Sequence, residues 1–254
     1  MVTIIIATYN REHTLGRVID SVLAQDLADW ELIVVDDGSE DDSAALVEHY
    51  ADRRIRLVRH GANKGVTAAK NTGFNQMRGD WFTTIDSDDE MVPDALSVML
   101  SAAERTGATA VNCNAIDTVT GAIAGTGITT DGWLDPSNVS GIHWGITRSE
   151  LLGDLRFDER LPWGEEALWL KIGRKARRYY LCRPLLIVHT EGSDRLTLKN
   201  KKRSLRAKLG DFRALGDDTE YLDTLRETDP RSYARLRNRI LVAKMLRWPG
   251  RPQR

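Results

Sequence analysis

Short apolar runs alternate with amphipathic stretches along the first half of the chain, and this alternation restricts the fold more than any other feature. Residues 2–8 form a β-branched apolar run, and residues 13–25 then carry apolar side chains at helical spacing. The same alternation continues to residue 116. Strand patterns separated by helix patterns of about 10–15 residues predict βαβ units. We therefore expect an α/β fold with a mostly parallel sheet and helices on both faces.

The predicted elements can be placed along most of the chain. The strands are expected at 2–8, 31–35, 55–59, 81–85, 109–116 and 179–188, and the helices at 13–25, 41–51, 65–77, 93–104 and 165–174. Residues 117–145 are rich in glycine and threonine and predict a hairpin and loops. From about Leu198 onward, two or three charged helices are predicted.

Polar side chains follow three of the predicted strands, at the point where each strand ends. These strand ends carry Thr8-Tyr9-Asn10, Asp36-Asp37 and Asp86-Ser87-Asp88. In open parallel sheets, ligands bind beyond the carboxyl ends of the strands. The sequence therefore predicts that one crevice collects all three groups.

Asp86-Ser87-Asp88 is the most specific of these groups. Two carboxylates one residue apart repel each other unless a cation lies between them. Carboxylate oxygens together with a diphosphate suit Mg²⁺ or Mn²⁺. The competing interpretation is an acidic cluster that complements the dipole of the helix following Pro93.

Asp36-Asp37 has two compatible interpretations. An acid at the end of a strand can accept hydrogen bonds from a nucleobase or from ribose hydroxyls. Asp37-Gly38-Ser39 is also favourable turn chemistry.

Composition is that of a globular protein. Apolar residues make up 41% of the 254 residues and charged residues 29%, which argues against a disordered chain. Cys113 and Cys182 both lie in apolar stretches, so we expect two buried, reduced thiols rather than a disulfide framework. No stretch approaches the 18 or so apolar residues of a membrane span, and the N-terminus does not resemble a signal peptide. A cytoplasmic protein is expected.

Charge is unevenly distributed along the chain. Residues 195–254 carry 17 Lys and Arg against 7 Asp and Glu, whereas the preceding residues carry 19 against 30. A basic tail on an acidic body predicts an anionic partner, and the inner face of a membrane is the expected one. The apolar stripe near Ile240 suits an interfacial helix or a helix that packs on the protein, and the sequence leaves both open.

Five blocks of sequence resemble the family 2 glycosyltransferases of GT-A fold, an α/β Rossmann-like class. The blocks are TIIIATYN at 3–10, SVLAQ at 21–25, ELIVVDDGS at 31–39, NKGVTAAKNTG at 63–73 and GDWFTTIDSDD at 79–89. They keep the family's order and spacing from residue 3 to about residue 100. The resemblance implies an inverting, single-displacement transfer of a sugar from a nucleotide-diphosphate sugar.

The resemblance also implies roles for residues of the donor site. The residues expected to bind the donor are Thr8, Tyr9, Asn10, Asp36, Asp37, Lys70, Asp86, Ser87 and Asp88. Lys70 stands where the family usually has arginine, so the charge is kept without the planar guanidinium fork. Asp88 is expected to bind the divalent metal, Mn²⁺ or Mg²⁺, with Asp86 beside it.

The second half of the chain resembles the family more loosely. Glu166, in Trp163-Gly-Glu-Glu166, aligns with the family's catalytic base, although the family has aspartate there, and Glu165 is the alternative. His189 matches a histidine that some relatives place on the metal or diphosphate, but a structural role is equally expected. Trp133, Trp144 and Trp163 are candidates for stacking on an acceptor sugar, with Trp163 preferred because it adjoins the expected base, against the commoner use of tryptophan in the core.

Taken together, these features predict residues 1–195 as a GT-A domain, with residues 1–116 binding the donor and 117–195 the acceptor. Residues 196–254 would form a basic helical extension. A UDP-sugar is the favoured donor, and a glycan, lipid-linked molecule or protein the acceptor; no nucleic-acid partner is predicted. Two alternatives remain, a non-catalytic nucleotide-sugar or membrane-surface binding protein, and a nucleotidyltransferase. The latter is disfavoured because residues 7–17 contain only Gly16 rather than a glycine-rich loop.

Overall fold

A computed structural model describes residues 1–126, 128–134, 139–160, 165–190, 211–212, 215–228 and 230–245. Its strands are β1 Val2–Thr8, β2 Trp30–Asp36, β3 Ile55–Arg59, β4 Trp81–Asp86, β5 Glu90–Met91, β6 Ala110–Asp117, β7 Gly125–Thr126, β8 Ser140–Gly141, β9 His143–Arg148 and β10 Arg178–Val188. Its helices are α1 Glu12–Leu23, α2 Ser43–Glu48, α3 Val66–Gln76, α4 Ala95–Thr106, α5 Ser149–Leu152, α6 Glu165–Lys175, α7 Thr219–Thr228 and α8 Pro230–Met245. Most predicted elements are confirmed to within a few residues.

The main sheet has the strand order β3-β2-β1-β4-β9-β6-β10-β5. The pairs β3–β2, β2–β1, β1–β4 and β6–β10 are parallel. Strand β1 lies within the parallel part, and β1 and β2 are almost fully buried, as expected of strands covered on both faces. The predicted α/β class with a mostly parallel sheet is confirmed.

Alternate side chains of β1 enter two separate hydrophobic clusters. Ile4 and Ile6 pack with α1 and α4, whereas Ile5 packs with apolar residues of α3 and α6. Successive side chains of a strand point to opposite faces of the sheet. Helices therefore cover both faces, as the sequence predicted.

Strand β9 was not predicted, and it changes the sheet. It lies between β4 and β6 and is antiparallel to both. Its first three residues fall in the range 117–145, where the sequence predicted a hairpin and loops, and its last three fall where no element was predicted. A small hairpin of β7 and β8 is present in that range as well. Because β9 and β10 complete the sheet begun by residues 1–116, the proposed halves share one sheet, and their division of labour stays a prediction.

The C-terminal extension packs on the domain where the structure describes it. Tyr221 and Leu225 of α7 are buried against Ala167 of α6, and Leu236 of α8 packs on the same cluster. Ile240 and Ala243 are buried, whereas Leu241 and Val242 are exposed. The ragged apolar stripe is thus at least partly a packing face. Among the described residues, no helix is long and apolar enough to cross a membrane.

The two cysteines differ, which corrects the expectation that both are buried. Cys113 lies in the core, where burial raises the pKa of its thiol to about 12. Cys182 is exposed because its strand, β10, is irregular at that point and turns the side chain outward. A period-two pattern cannot anticipate such a bulge.

Candidate active site

The three polar strand ends meet at the carboxyl edge of the parallel strands. Strand β1 lies between β2 and β4, and the register pairs Thr8 with Asp36 and Ala7 with Asp86. The predicted crevice is therefore formed by neighbouring strands rather than by distant loops.

Three carboxylates follow β4 at this edge. Oxygens of Asp86, Asp88 and Asp89 all lie within 4.8 Å of one another. Asp86 is largely exposed, whereas Asp89 is buried and accepts a hydrogen bond from the backbone N–H of His189 at 3.3 Å. Sequence reasoning assigned ligand roles to Asp86 and Asp88 but not to Asp89, whose approach depends on the tight turn after β4.

This carboxylate group fits a divalent metal. It offers hard oxygen ligands, and three acids this close repel one another unless a cation or proton lies between them. Asp86 is 66% exposed, which leaves room for water or phosphate oxygens to complete a coordination shell. The donor set matches Mg²⁺ or Mn²⁺ better than metals that prefer sulfur or imidazole.

Lys70 of α3 connects the strand end to α6. It is 3% exposed, and its Nζ lies 2.7 Å from Oε1 of Glu165 and 3.4 Å from Oδ1 of Asp86. Burial alone would lower the pKa of Lys70, but the charges of Asp86 and Glu165 outweigh that effect and raise it. Lys70 is therefore a fixed positive charge between the carboxylate group and the first residue of α6.

Replacing Lys70 tests its role as an anion-binding group. We expect Lys70→Met to raise the Kd for a nucleoside diphosphate about ten- to a hundredfold, because a hydrogen bond to a charged group contributes about 1.5–3 kcal/mol. Lys70→Arg should retain most of the affinity. Isothermal titration calorimetry gives both values, with Lys244→Met on α8 as a remote control. Unchanged affinity in Lys70→Met, with folding intact by circular dichroism, would contradict the assignment.

Asp37 holds the loop before α3. Its carboxylate accepts hydrogen bonds from the backbone N–H groups of Lys64 at 2.9 Å and Gly65 at 2.7 Å, and lies 2.6 Å from Nδ1 of His60. The side chain is buried. Both of its oxygens are thus engaged within the protein; its predicted contact with the base stays a prediction.

Gly38 allows the end of β2 to lie close to the backbone of the same loop. Its φ is +76°, and a Cβ there would lie 2.7 Å from the backbone carbon of Ala62. We expect Gly38→Ala to lower the free energy of unfolding by about 2–4 kcal/mol, since left-handed backbone strain and overpacking add. Gly61→Ala is the matched control, because a Cβ at Gly61 meets nothing within 4 Å. Urea unfolding of both variants measures the two changes in the free energy of unfolding. Equal losses in Gly38→Ala and Gly61→Ala would contradict the prediction.

Asp36 is fully buried and paired. Its Oδ2 accepts a hydrogen bond from Nε of Arg59 at 3.2 Å, and its Oδ1 accepts one from the backbone N–H of Ser39 at 3.1 Å. This contact supports the turn interpretation, which the sequence left compatible with donor binding, because Asp36 holds the turn through Ser39. A donor-binding role for Asp36 stays a prediction.

Two buried hydroxyls border this region without a hydrogen-bond partner. These are Oγ1 of Thr8, at the end of β1, and Oγ1 of Thr67, in the first turn of α3. Buried polar groups are normally satisfied, so each can receive a bond from a ligand or from water. Thr67 was not anticipated from sequence, because a threonine in a helical pattern carries no signal of its own.

Tyr9 and Asn10 continue from β1 into the loop before α1. Tyr9 is partly exposed, and Asn10 adopts a left-handed backbone with φ of +52°. The side-chain oxygen of Asn10 accepts a bond from the backbone N–H of Glu40, and its own N–H donates to Oγ of Ser39. Asn10 therefore joins the β1 and β2 strand ends, and Tyr9 is left at the rim.

His189 lies close to the carboxylates but is engaged elsewhere. Its Nε2 is 2.6 Å from Oε1 of Glu90, which also lies 3.2 Å from Nε of Arg17. His189 is not a member of the carboxylate group formed by the described residues. This contact favours the structural role that the sequence left open, and metal binding by His189 stays a prediction.

The remaining predicted residues have different outcomes. Trp144 is 7% exposed, lies in the core and donates its indole N–H to the carbonyl of Thr84, which favours the core role over sugar stacking. Glu166 belongs to the first turn of α6, but its side chain lies outside the described residues, as does all of Trp163. Glu165 is the described carboxylate that α6 delivers to Lys70.

Comparison with known proteins identifies relatives of this chain. A family model described as glycosyl transferase family 2 matches residues 3–129. The succinoglycan biosynthesis protein ExoO of Rhizobium meliloti is 42% identical over 107 residues, which are 42% of this chain and 31% of that protein. A GalNAc(5)-diNAcBac-PP-undecaprenol β-1,3-glucosyltransferase of Campylobacter jejuni is 29% identical over 82% of this chain and 71% of its own length.

A third relative, the UDP-Glc:α-D-GlcNAc-diphosphoundecaprenol β-1,3-glucosyltransferase WfgD of Escherichia coli, is 39% identical over 40% of each chain. The matches to ExoO and WfgD therefore cover well under two thirds of those proteins.

Solved structures share the fold at low identity. S. aureus TarS 1–349 in complex with UDP-GlcNAc gives a TM-score of 0.77 at 17% identity, covering 97% of this chain and 73% of that one. The mannosyltransferase PcManGT of Pyrobaculum calidifontis, in complex with GDP-Man and Mn²⁺, gives 0.60 at 17% identity, covering 98% and 76%. These likenesses confirm the predicted GT-A architecture.

Proposed function

The chain belongs to glycosyl transferase family 2 and carries a glycosyltransferase-type enzyme domain, and from this premise we propose that it transfers a sugar from a nucleoside-diphosphate sugar to an acceptor hydroxyl with inversion. One observation carries the proposal. The ends of β1, β2 and β4, the carboxylate group and the buried Lys70 all meet at one edge of the sheet. Such an edge is where α/β sheets bind nucleotides.

The donor diphosphate would lie between the carboxylate group and Lys70. Asp86, Asp88 and Asp89 would hold a divalent cation, which neutralises charge that develops on the departing nucleoside diphosphate. Lys70 would donate to a diphosphate oxygen from the other side, because its ammonium is already held at this edge. Thr8 and Thr67 each have an unsatisfied hydroxyl that can bond to the nucleoside.

A UDP-sugar is the proposed donor. Support comes from WfgD, which is named for UDP-Glc, and from TarS, whose structure contains UDP-GlcNAc. PcManGT, by contrast, was solved with GDP-Man, so a GDP-sugar is the alternative that a donor panel must include.

The proposed acceptor is a lipid-linked saccharide. The C. jejuni and E. coli relatives are both named for acceptors on undecaprenol diphosphate. Such an acceptor is membrane-bound, which agrees with the excess of basic residues after residue 194. We place the protein at the cytoplasmic face of the membrane as part of the same proposal.

Helix α8 supplies a test of the membrane contact. It exposes Leu241 and Val242 beside basic residues such as Arg239 and Lys244. We expect a Leu241→Glu, Val242→Glu double variant to lose most of its co-sedimentation with vesicles of 30% phosphatidylglycerol, because exposed apolar and cationic groups act together at an anionic interface. Val119→Glu, at an exposed apolar residue elsewhere, is the control. Equal binding of both variants would count against the contact.

Proton removal is assigned to Glu166, and positioning to Glu165. Oε1 of Glu165 already accepts a bond from Lys70, so Glu165 is committed to the donor side of the site. Glu166, the neighbouring residue of the same turn, is the glutamate that aligns with the family's catalytic base. A carboxylate acting on the attacking hydroxyl serves as general base in a single displacement.

The decisive experiment measures release of nucleoside diphosphate from UDP-, GDP- and dTDP-sugars, with Mn²⁺ or Mg²⁺ and with a chelator. Metal-dependent release from one donor is the expected result, and addition of an undecaprenyl-diphosphate-linked saccharide should accelerate it. Binding of a donor without release, even with such acceptors, would favour a non-catalytic binding protein. Neither binding nor release with any metal would overturn the proposed function.

A further inference from the structure

A basic, aromatic surface lies at the end of α6 that faces away from the candidate active site. Residues 174–178 read Arg-Lys-Ala-Arg-Arg, so four of five consecutive residues are cationic. Trp133 lies beside them and is 51% exposed. None of these residues belongs to the carboxylate group or to the proposed donor site.

The surface lies at the opposite edge of the sheet from the carboxylates. Arg178 is the first residue of β10 and pairs with Ala110, the first residue of β6. Strand β6 runs in the direction of β4, because both are antiparallel to β9. Helix α6 spans the distance, about 15 Å for its 11 residues, from Glu165 at the active site to Lys175 beside this surface.

The surface includes a shallow depression that is open to solvent. A cavity of about 310 Å³ is lined by Trp133, Leu134, Gly173, Ala176, Arg177 and Arg178. Trp133 stands edge-on to Tyr179 with ring centroids 5.4 Å apart, and this contact, together with the backbone bonds between Gly132 and Tyr180, fixes the indole at the wall. The volume lies within the range of small-molecule sites.

Arg174 of this surface pairs with Glu227 at 3.1 Å, but the cations nearer Trp133 have no acidic partner among the described residues. No carboxylate there pairs with Arg105, Arg177 or Arg178. Arg177 instead lies over the ring of Trp133 at 5.4 Å, and Arg105 over that of Tyr179 at 5.8 Å. Nε of Arg178 is buried with no hydrogen-bond partner, although buried donors are normally satisfied.

We propose that this cavity, lined by Trp133, Arg177 and Arg178, binds an anionic pyranose, with the sugar ring against Trp133 and its carboxylate or phosphate on the two guanidinium groups. An indole offers a flat apolar face to the C–H side of a sugar ring. A guanidinium binds carboxylate or phosphate in a planar, two-pronged geometry. The unsatisfied Nε of Arg178 is the donor that such an anion would complete.

The fixed position of Trp133, in contact with Tyr179 and Arg177, favours a discrete sugar over a lipid surface. A membrane contact needs protruding apolar groups, whereas Trp133 is held at the wall of a cavity by Tyr179 and Gly132. The site would hold an acidic unit of a glycan about one helix length from the reaction, so its occupancy does not depend on donor chemistry.

Binding can be measured on the full chain with donor-site ligands kept constant. Saturation-transfer NMR, in the presence of excess UDP and Mg²⁺, would be titrated with D-glucuronic acid, D-glucose 6-phosphate, D-glucose and inorganic phosphate. We expect saturable binding of both anionic sugars, with D-glucose at least about tenfold weaker because it lacks the charge-assisted bonds. Trp133→Ala and Arg178→Gln should each weaken the anionic sugars about tenfold or more, and Arg178→Lys less so.

Control variants separate this site from the proposed active site. Asp88→Asn and the remote Arg226→Gln should leave sugar binding unchanged, so a failed donor assay and a failed cavity are distinguishable. The proposal is overturned if no anionic sugar saturates, or if binding persists in folded Trp133→Ala and Arg178→Gln. Phosphate binding as tightly as glucose 6-phosphate in every variant would also overturn it. So would loss of binding to phosphatidylglycerol vesicles in Trp133→Ala without any sugar binding.

Discussion

Asp88→Asn is expected to lower kcat/KM for sugar transfer by about a thousandfold or more, with no loss of thermal stability in the absence of metal. Stabilisation of charge by a bound cation contributes several kcal/mol to a transition state, and each 1.36 kcal/mol is a factor of ten in rate. The amide removes one of three acids that lie within 4.8 Å of one another. Since like charges at this distance repel, the metal-free fold should not suffer.

The measurement is product formation against donor concentration at several Mn²⁺ concentrations, together with thermal unfolding with and without metal. Wild type should be stabilised by Mn²⁺ and the variant much less, as expected when a ligand binds only the native state. Asp223→Asn, at an exposed acid of α7, is the matched control. Activity within tenfold of wild type at every metal concentration would remove Asp88 from the metal site.

Asp89→Asn belongs to the same series because the structure, unlike the sequence, joins Asp89 to the carboxylate group. Its side chain also holds the backbone of His189. A loss of metal affinity with preserved folding would make Asp89 a ligand, whereas a loss of stability alone would assign it to the turn.

Glu166→Gln is expected to lower kcat about a hundred- to ten-thousandfold while the Kd of the donor stays within a few-fold of wild type. General-base catalysis contributes a factor of this size, and glutamine keeps the shape of the side chain without its basicity. Glu165→Gln should act differently, because Glu165 is bonded to Lys70. Loss of that ion pair should alter donor affinity more than the rate at saturation.

Both variants would be assayed for donor affinity by calorimetry and for transfer at saturating donor and acceptor. Activity against pH separates the roles, since removal of a base should abolish the acidic limb of the profile, whereas removal of a positioning group should not. The assignment is reversed if Glu165→Gln shows the large loss in kcat and Glu166→Gln does not. Parallel losses in both would indicate that the first turn of α6 acts as one unit.

Lys70 physically connects the carboxylate group at the end of β4 with the first turn of α6. One ammonium lies 3.4 Å from Asp86 on the donor strand and 2.7 Å from Glu165 on α6. Its desolvation is offset by both carboxylates, so its charge is retained. Donor phosphate entering this position would share a cation with α6, the helix that carries both glutamates.

The local sequence pattern was sufficient to predict those strands and helices whose formation depends on their own residues. The runs that became β1, β2 and β4 are largely buried, so each is mostly apolar and ends where a group of polar residues begins. Since parallel neighbours end at one edge, the sequence alone was enough to group the polar strand ends at Thr8, Asp36 and Asp86.

Long-range pairing could not be predicted in the same way. Strand β9 has glycine and polar residues and acquires its place from hydrogen bonds to β4 and β6, which lie far from it in sequence. The exposure of Cys182 follows from an irregularity of β10 rather than from its neighbours in the chain. Trp144 resembled a sugar-stacking residue until its indole was found in the core.

The sequence by itself determined the α/β class, the edge where the strand ends meet and the acids that line it, because these depend on periodicity and on residues adjacent in the chain. Only the tertiary structure decided that Asp89 joins Asp86 and Asp88, and that Lys70 pairs with Glu165. It alone placed Trp133 beside Arg178 across a cavity. Such contacts join residues distant in sequence, and packing and charge balance fix them only when the whole sheet has formed.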